Sequence, residues 1–159
     1  MNIVSILLWG FVGTITLTSV MAASHGLGLT RMSMPYLLGT MLTSSRDRAM
    51  IVGFLFHLAN GWMFAAIYAL AFEAWGQATW WQGAGIGLVH SLFVVLVGMN
   101  VLPAMHPRMA SEQHGPSPTR QLQPPGFLAL NYGRRTPAVT VFAHLVYGAI
   151  LGSFYQLVS

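Results

Sequence analysis

The chain has no cysteine and no lysine, and only three acidic residues in its 159. Without cysteine there is neither a disulfide framework nor a thiolate site. Without lysine, Schiff-base and phosphate-loop chemistry are excluded. Asp47, Glu73 and Glu112 fall in separate parts of the chain, so nothing supports paired-carboxylate catalysis. Nucleophile elbows, phosphate loops and metalloprotease helix motifs are also missing from the sequence. Only 6% of the residues are charged, against about 25% in soluble domains. That deficit points to lipid as the solvent.

What is present is apolar length. Four stretches lack any Asp, Glu, Lys or Arg: 3–23, 49–72, 83–102 and 137–157. Each is close to the ~20 residues needed to cross a hydrocarbon core of about 30 Å. They predict an all-α fold, a four-helix transmembrane bundle in one integral membrane domain, 1–159. Val20-Met21-Ala22 looks like a signal-peptidase site, but no basic residue precedes the first stretch and its apolar run is long, so a retained helix is expected.

All seven arginines lie in two of the connecting segments. Arg31, Arg46 and Arg48 stand between the first and second spans, and Arg108, Arg120, Arg134 and Arg135 between the third and fourth. Arg-bearing loops face the cytoplasm, which predicts a multi-pass protein with both termini outside. Arg31, Arg46, Arg48, Arg134 and Arg135 are expected to meet lipid headgroups. The pI near 10 is explained by this topology and not by nucleic-acid binding. Trp75, Trp80 and Trp81 mark the opposite boundary.

Both arginine loops carry a short apolar segment after a proline. PYLLGTML, Pro35 to Leu42, predicts a short interfacial helix, and GFLALNY, Gly126 to Tyr132, looks like its counterpart. The second loop, 103–136, holds six prolines, and span three is expected to stop at Pro103.

A shift of 87 positions lays span two over span four. Arg48, Val52, His57, Leu58, Gly61 and Tyr68 then meet Arg135, Val139, His144, Leu145, Gly148 and Tyr155, six identities in 21 positions. This suggests two tandem helical hairpins related by an axis along the membrane normal. His57 and His144 each lie nine residues beyond an arginine, about 13 Å into the membrane. Gly61 and Ala65, and likewise Gly148 and Gly152, form small-x3-small faces for helix contact. Gly83, Gly85 and Gly87 offer close approach at the start of span three.

Intramembrane ionisable groups mark functional sites by default. His57 and His144 are candidate haem ligands, and His57, His90 and His144 a candidate transition-metal set. The plainer reading is interhelical hydrogen bonding. His25, His106 and His114 are read as solvated loop residues, and Asp47 as an ion-pair partner of the flanking Arg46 and Arg48. Small multidrug exporters carry a carboxylate in the first span, and this span has none.

The segments RMSMPYLLGTM, GFLFHLANGWMFAAIYALAFE and GLVHSLFVVLVG resemble those of a family of small, uncharacterised bacterial four-helix membrane proteins, a domain of unknown function. The resemblance implies four helices in a bacterial inner membrane and brings with it no ligand, activity or site residue. The expected role is non-enzymatic, as an accessory or scaffold subunit or a small homo-oligomer. The alternatives are a haem- or metal-binding redox protein and a small transporter with a polar path along Asn60 and the histidines.

Overall fold

In the computed structural model, which describes residues 1–111 and 114–158, four long helices run alternately up and down. They are α1 (Ile3–Gly26), α3 (Arg46–Trp75), the run Trp80–Met105 and α6 (Thr136–Phe154). Each is long and apolar enough to cross a membrane, which makes this a multi-pass membrane protein with an all-α bundle. Glu112, one of the three acids, lies outside the described residues.

Helix ends follow local chemistry. Asn2 caps α1 by accepting from the Ser5 amide at 3.0 Å, and Thr79 caps the third helix through Gln82. Gly76, at φ +64°, ends α3 in the left-handed conformation that glycine adopts without a Cβ penalty. The third helix is α4 (Trp80–Phe93), a π-helical turn (Val94–Gly98) and α5 (Met99–Met105). It runs past Pro103 instead of stopping there. A proline in the last turn forfeits a single backbone bond, which is less costly than breaking a helix interior.

The arginine loops behave differently from each other. PYLLGTML forms α2 (Met34–Gly39), with Pro35 in its first turn. It does not lie free in the interface. Pro35, Leu37, Leu38 and Gly39 are buried, and α2 packs back on the start of α3. Gly39 abuts the Ala49 carbonyl, and Gly53 abuts that of Pro35. GFLALNY is not a second copy of α2. It is a 3-10 segment, Phe127–Tyr132, with Leu128 and Ala129 in the left-handed region at φ 53° and 57°. The bend tucks Ala129 and Tyr132 under the bundle.

Backbone and side-chain bonds join the two loops. The Arg31 amide donates to Tyr132 O at 2.7 Å, the Arg31 guanidinium to Asn131 O, and the Thr30 and Thr136 hydroxyls are 2.7 Å apart. At the tryptophan end, Glu73 Oε1 accepts from the Tyr155 hydroxyl at 2.7 Å and lies 3.6 Å from the Met1 ammonium. Among the described residues this is the one ion pair. Asp47 is therefore not paired with Arg46 or Arg48. It sits in the first turn of α3, where the helix dipole favours a negative charge.

Candidate functional site

The small-residue faces are used inside the chain. A Cβ on Gly10 would lie 2.9 Å from the Ala65 methyl, and one on Gly61 would collide with the Thr14 hydroxyl. The Thr18 hydroxyl, one turn further, is 3.2 Å from His57 Nδ1. Helix α1 thus meets α3 along Gly10, Thr14 and Thr18, against Ala65, Gly61 and His57. The same row recurs between α4 and α6. Thr79 lies against Gly152, Gly83 against Gly148, and Gly87 against His144, each at distances that only a missing Cβ permits. Gly85 points away from this seam and touches nothing.

Three histidines sit along these seams, each with Nδ1 engaged. His57 Nδ1 meets Thr18 on α1. His144 Nδ1 is 2.8 Å from the Thr140 carbonyl one turn back. A carbonyl can only accept, so this nitrogen carries the proton and Nε2 keeps the lone pair. His90 Nδ1 lies 3.3 Å from the Tyr68 hydroxyl. Its ring stacks on Phe64 with centroids 3.7 Å apart and meets the His144 ring edge-on at 4.6 Å. Tyr68 and Tyr147, both buried, pack edge to face at 5.5 Å, and the Tyr147 hydroxyl donates to Gly61 O at 2.6 Å. A layer of α3, α4 and α6 side chains therefore surrounds His90 and His144, while His57 faces α1.

The geometry divides the expected sets. His90 and His144 come together. Among the described residues no three His, Cys, Asp or Glu converge in a metal-binding arrangement. The Thr140 hydroxyl, one turn from His144, is fully buried and has no hydrogen-bond partner among the described residues. Asn60 is half-buried. Two clefts among the described residues at the arginine end, about 600 and 690 Å³, are lined by neither Asn60 nor these histidines.

Phe64, Tyr68, Thr140 and Tyr147 are the members that sequence reasoning missed. Tyr147 follows His144 by three positions and Tyr68 follows Gly61 by seven, so helical spacing already put both on the histidine faces.

At the arginine end, Arg31, Arg46, Arg48, Arg134 and Arg135 are all exposed, as headgroup contact requires. His106 departs from the solvated reading: it is 3% exposed. Its Nε2 is 3.0 Å from Leu37 O and 3.2 Å from the Thr40 hydroxyl, and its Nδ1 accepts from the Arg108 amide at 3.1 Å. Burial lowers its pKa, the Arg108 charge adds to the lowering, and the bond to Leu37 opposes it. Arg108 completes the latch by donating to Thr40 O.

Comparison with protein-family models, with curated proteins and with solved structures finds no match.

Proposed function

We propose that the protein acts by association within the membrane, as a non-enzymatic accessory or scaffold subunit or a small homo-oligomer. The observation that carries this is an incomplete seam. Helices α1–α3, α1–α6 and α4–α6 approach closely along rows of small residues, whereas α3 and α4 meet through the long side chains of Phe64, Tyr68 and His90. Ile67 and Phe93 flank that seam, each about half exposed. A further helix finds there an apolar notch with aromatic walls, and close packing is what drives helices together in lipid.

The absence of native cysteine makes the test direct. Ile67→Cys and Phe93→Cys are introduced singly, and disulfide formation is followed in native membranes. Crosslinked dimers, or a stoichiometric partner crosslinked through the same positions, are the expected result. Monomers at both positions, with no partner retained in mild detergent, would sink the association reading.

The location that goes with this role is a bacterial inner membrane with both termini outside, supported by the gathering of all seven arginines at one end. The two hairpins are read as a tandem duplication. The α3 row maps on the α6 row by a shift of 87 positions, and the α1 row maps on Thr79, Gly83 and Gly87 by the 69 positions that separate Gly10 from Thr79.

One observation favours a second reading, a haem or transition-metal site. With Nδ1 tied to a carbonyl, His144 offers Nε2 in the form a metal takes, the usual orienting device for ligand histidines. His90 and His144, whose rings meet, are then tested beside the expected pair of His57 and His144. An absorption spectrum and elemental analysis of untagged protein decide this. A Soret band or a stoichiometric metal lost in His144→Ala supports the site, and a clean sample rejects it.

A further inference from the structure

A cleft of about 600 Å³ lies between α1, α2 and the start of α3. Its volume is in the range of small-molecule sites. Its mouth carries Arg31, Arg46 and His25, all exposed. Among the described residues no carboxylate lines it, and the one ion pair stands at the opposite end, on Glu73. The two guanidinium groups therefore face the cleft without an internal counter-charge.

Arg31 is also held in place. Its amide bonds to Tyr132 O and its guanidinium to Asn131 O, which leaves further N–H groups for an anion. Burial pushes the Tyr132 hydroxyl up to about 12, against the opposing pull of Arg31, so this wall adds no negative charge at physiological pH.

Above the mouth the lining turns apolar. The cleft climbs along Met21, Ala22 and Met50 to Thr18. Thr18 lies eight residues before the end of α1 at Gly26, about 12 Å up the helix. A soluble anion needs no such extension. A cationic mouth continuous with an apolar channel inside the membrane-spanning part matches a head with a hydrocarbon chain.

We propose that this cleft binds one phosphate-headed anionic lipid, its head between Arg31 and Arg46 and a chain along Met21, Met50 and Thr18. The shared chemistry is an anionic phosphate ester, which free glycerol phosphate also carries as a monoester of about −1.5 to −2 charge, so the test must separate the two. Protein is exchanged into nanodiscs of phosphatidylglycerol or of phosphatidylcholine, and retained lipid is counted by native mass spectrometry.

One retained phosphatidylglycerol and no phosphatidylcholine is the expected result. Arg31→Gln/Arg46→Gln should weaken retention about 30-fold, taking ~1 kcal/mol for each cation. Arg134→Gln/Arg135→Gln, equal in charge and outside the cleft, should leave it unchanged. Equal retention of both lipids, or equal loss in the two arginine pairs, would overturn the proposal. Full displacement by glycerol 3-phosphate would also overturn it, since the chain would then contribute nothing. Arg31 also ties the loops together, so Ala22→Phe provides a second variant with both arginines intact. It fills the channel and should abolish retention, and undiminished binding there would equally reject the site.

Discussion

The hairpins α1–α3 and α4–α6 present the same row of contacts yet close to different degrees. At the centre of the α4–α6 seam both sides are glycine, and the carbonyls of Gly83 and Gly148 each occupy the space where the other's Cβ would be. Between α1 and α3 the obstacle opposite Gly61 is a side chain, Thr14, whose hydroxyl turns back to bond Gly10 O at 2.7 Å. One seam is therefore fixed by backbone and the other by a rotatable group. A small-x3-small pattern on one helix sets where two helices touch, and the residue opposite sets how much either can yield.

That contrast can be broken directly. The largest effect is expected for Gly148→Ala. Its methyl meets a carbonyl that cannot move without the helix, and overpacking of this kind costs about 3 kcal/mol. Thermal unfolding in detergent should show the loss, and no side-chain substitution on α4 should restore it. Wild-type stability would mean that the α4–α6 seam is looser than described.

Gly61→Ala should cost less, about 1 kcal/mol, because Thr14 can rotate or be replaced. The double variant Thr14→Ala/Gly61→Ala should recover most of that loss. A double-mutant cycle with no coupling would show that the two residues do not touch.

Smaller again is the effect of pH on the joint between the hairpins. His106, at the end of the third helix within the second hairpin, is bonded to α2 of the first in its neutral form. Its folded pKa is lowered below the ordinary 6.5. Between those two values the unfolded or released form binds more protons, so the joint is fully held above pH 6.5 and weakens as pH falls below it. Amide protection at Arg108 and around Thr40, corrected for the intrinsic pH dependence of exchange, should fall on acidification in the wild type and lose that pH dependence in His106→Gln. A flat profile in the wild type would remove His106 from the joint.

Gly85→Ala is the smallest, with stability unchanged within about 0.5 kcal/mol, because nothing lies where the methyl would go. Destabilisation comparable to Gly148→Ala would contradict the assigned face.

These cases also show what could be read before the structure. Helix number, direction and the arginine end follow from length and charge, which act locally. The contact faces of α3 and α6 follow from spacing four. Gly83, Gly85 and Gly87 are indistinguishable in sequence, yet a helix puts only the two that are four apart on one face. His106 looked like a loop residue because its burial depends on α2 folding back across α3, a tertiary event that no local pattern encodes. GFLALNY failed as a copy of PYLLGTML for a similar reason: the left-handed turn at Leu128 and Ala129 is imposed by where Ala129 and Tyr132 are buried.

The π-helical turn at Val94–Gly98 has its own consequence. The inward residues of the third helix are Gly83, Gly87, Ser91, Val95 and Met99, one every four positions. At 3.6 residues per turn such a row drifts by about 40° per step, some 160° from Gly83 to Met99. The wide turn absorbs much of that drift, and Met99 returns to the core while Asn100 stays outside, bonded to Leu96 O. The helix thus carries, in effect, one residue more than a regular spiral would need. Its inner and outer halves are geared independently, and removal of a single valine there would turn the arginine-end half through roughly 100° while the glycine seam with α6 kept its grip.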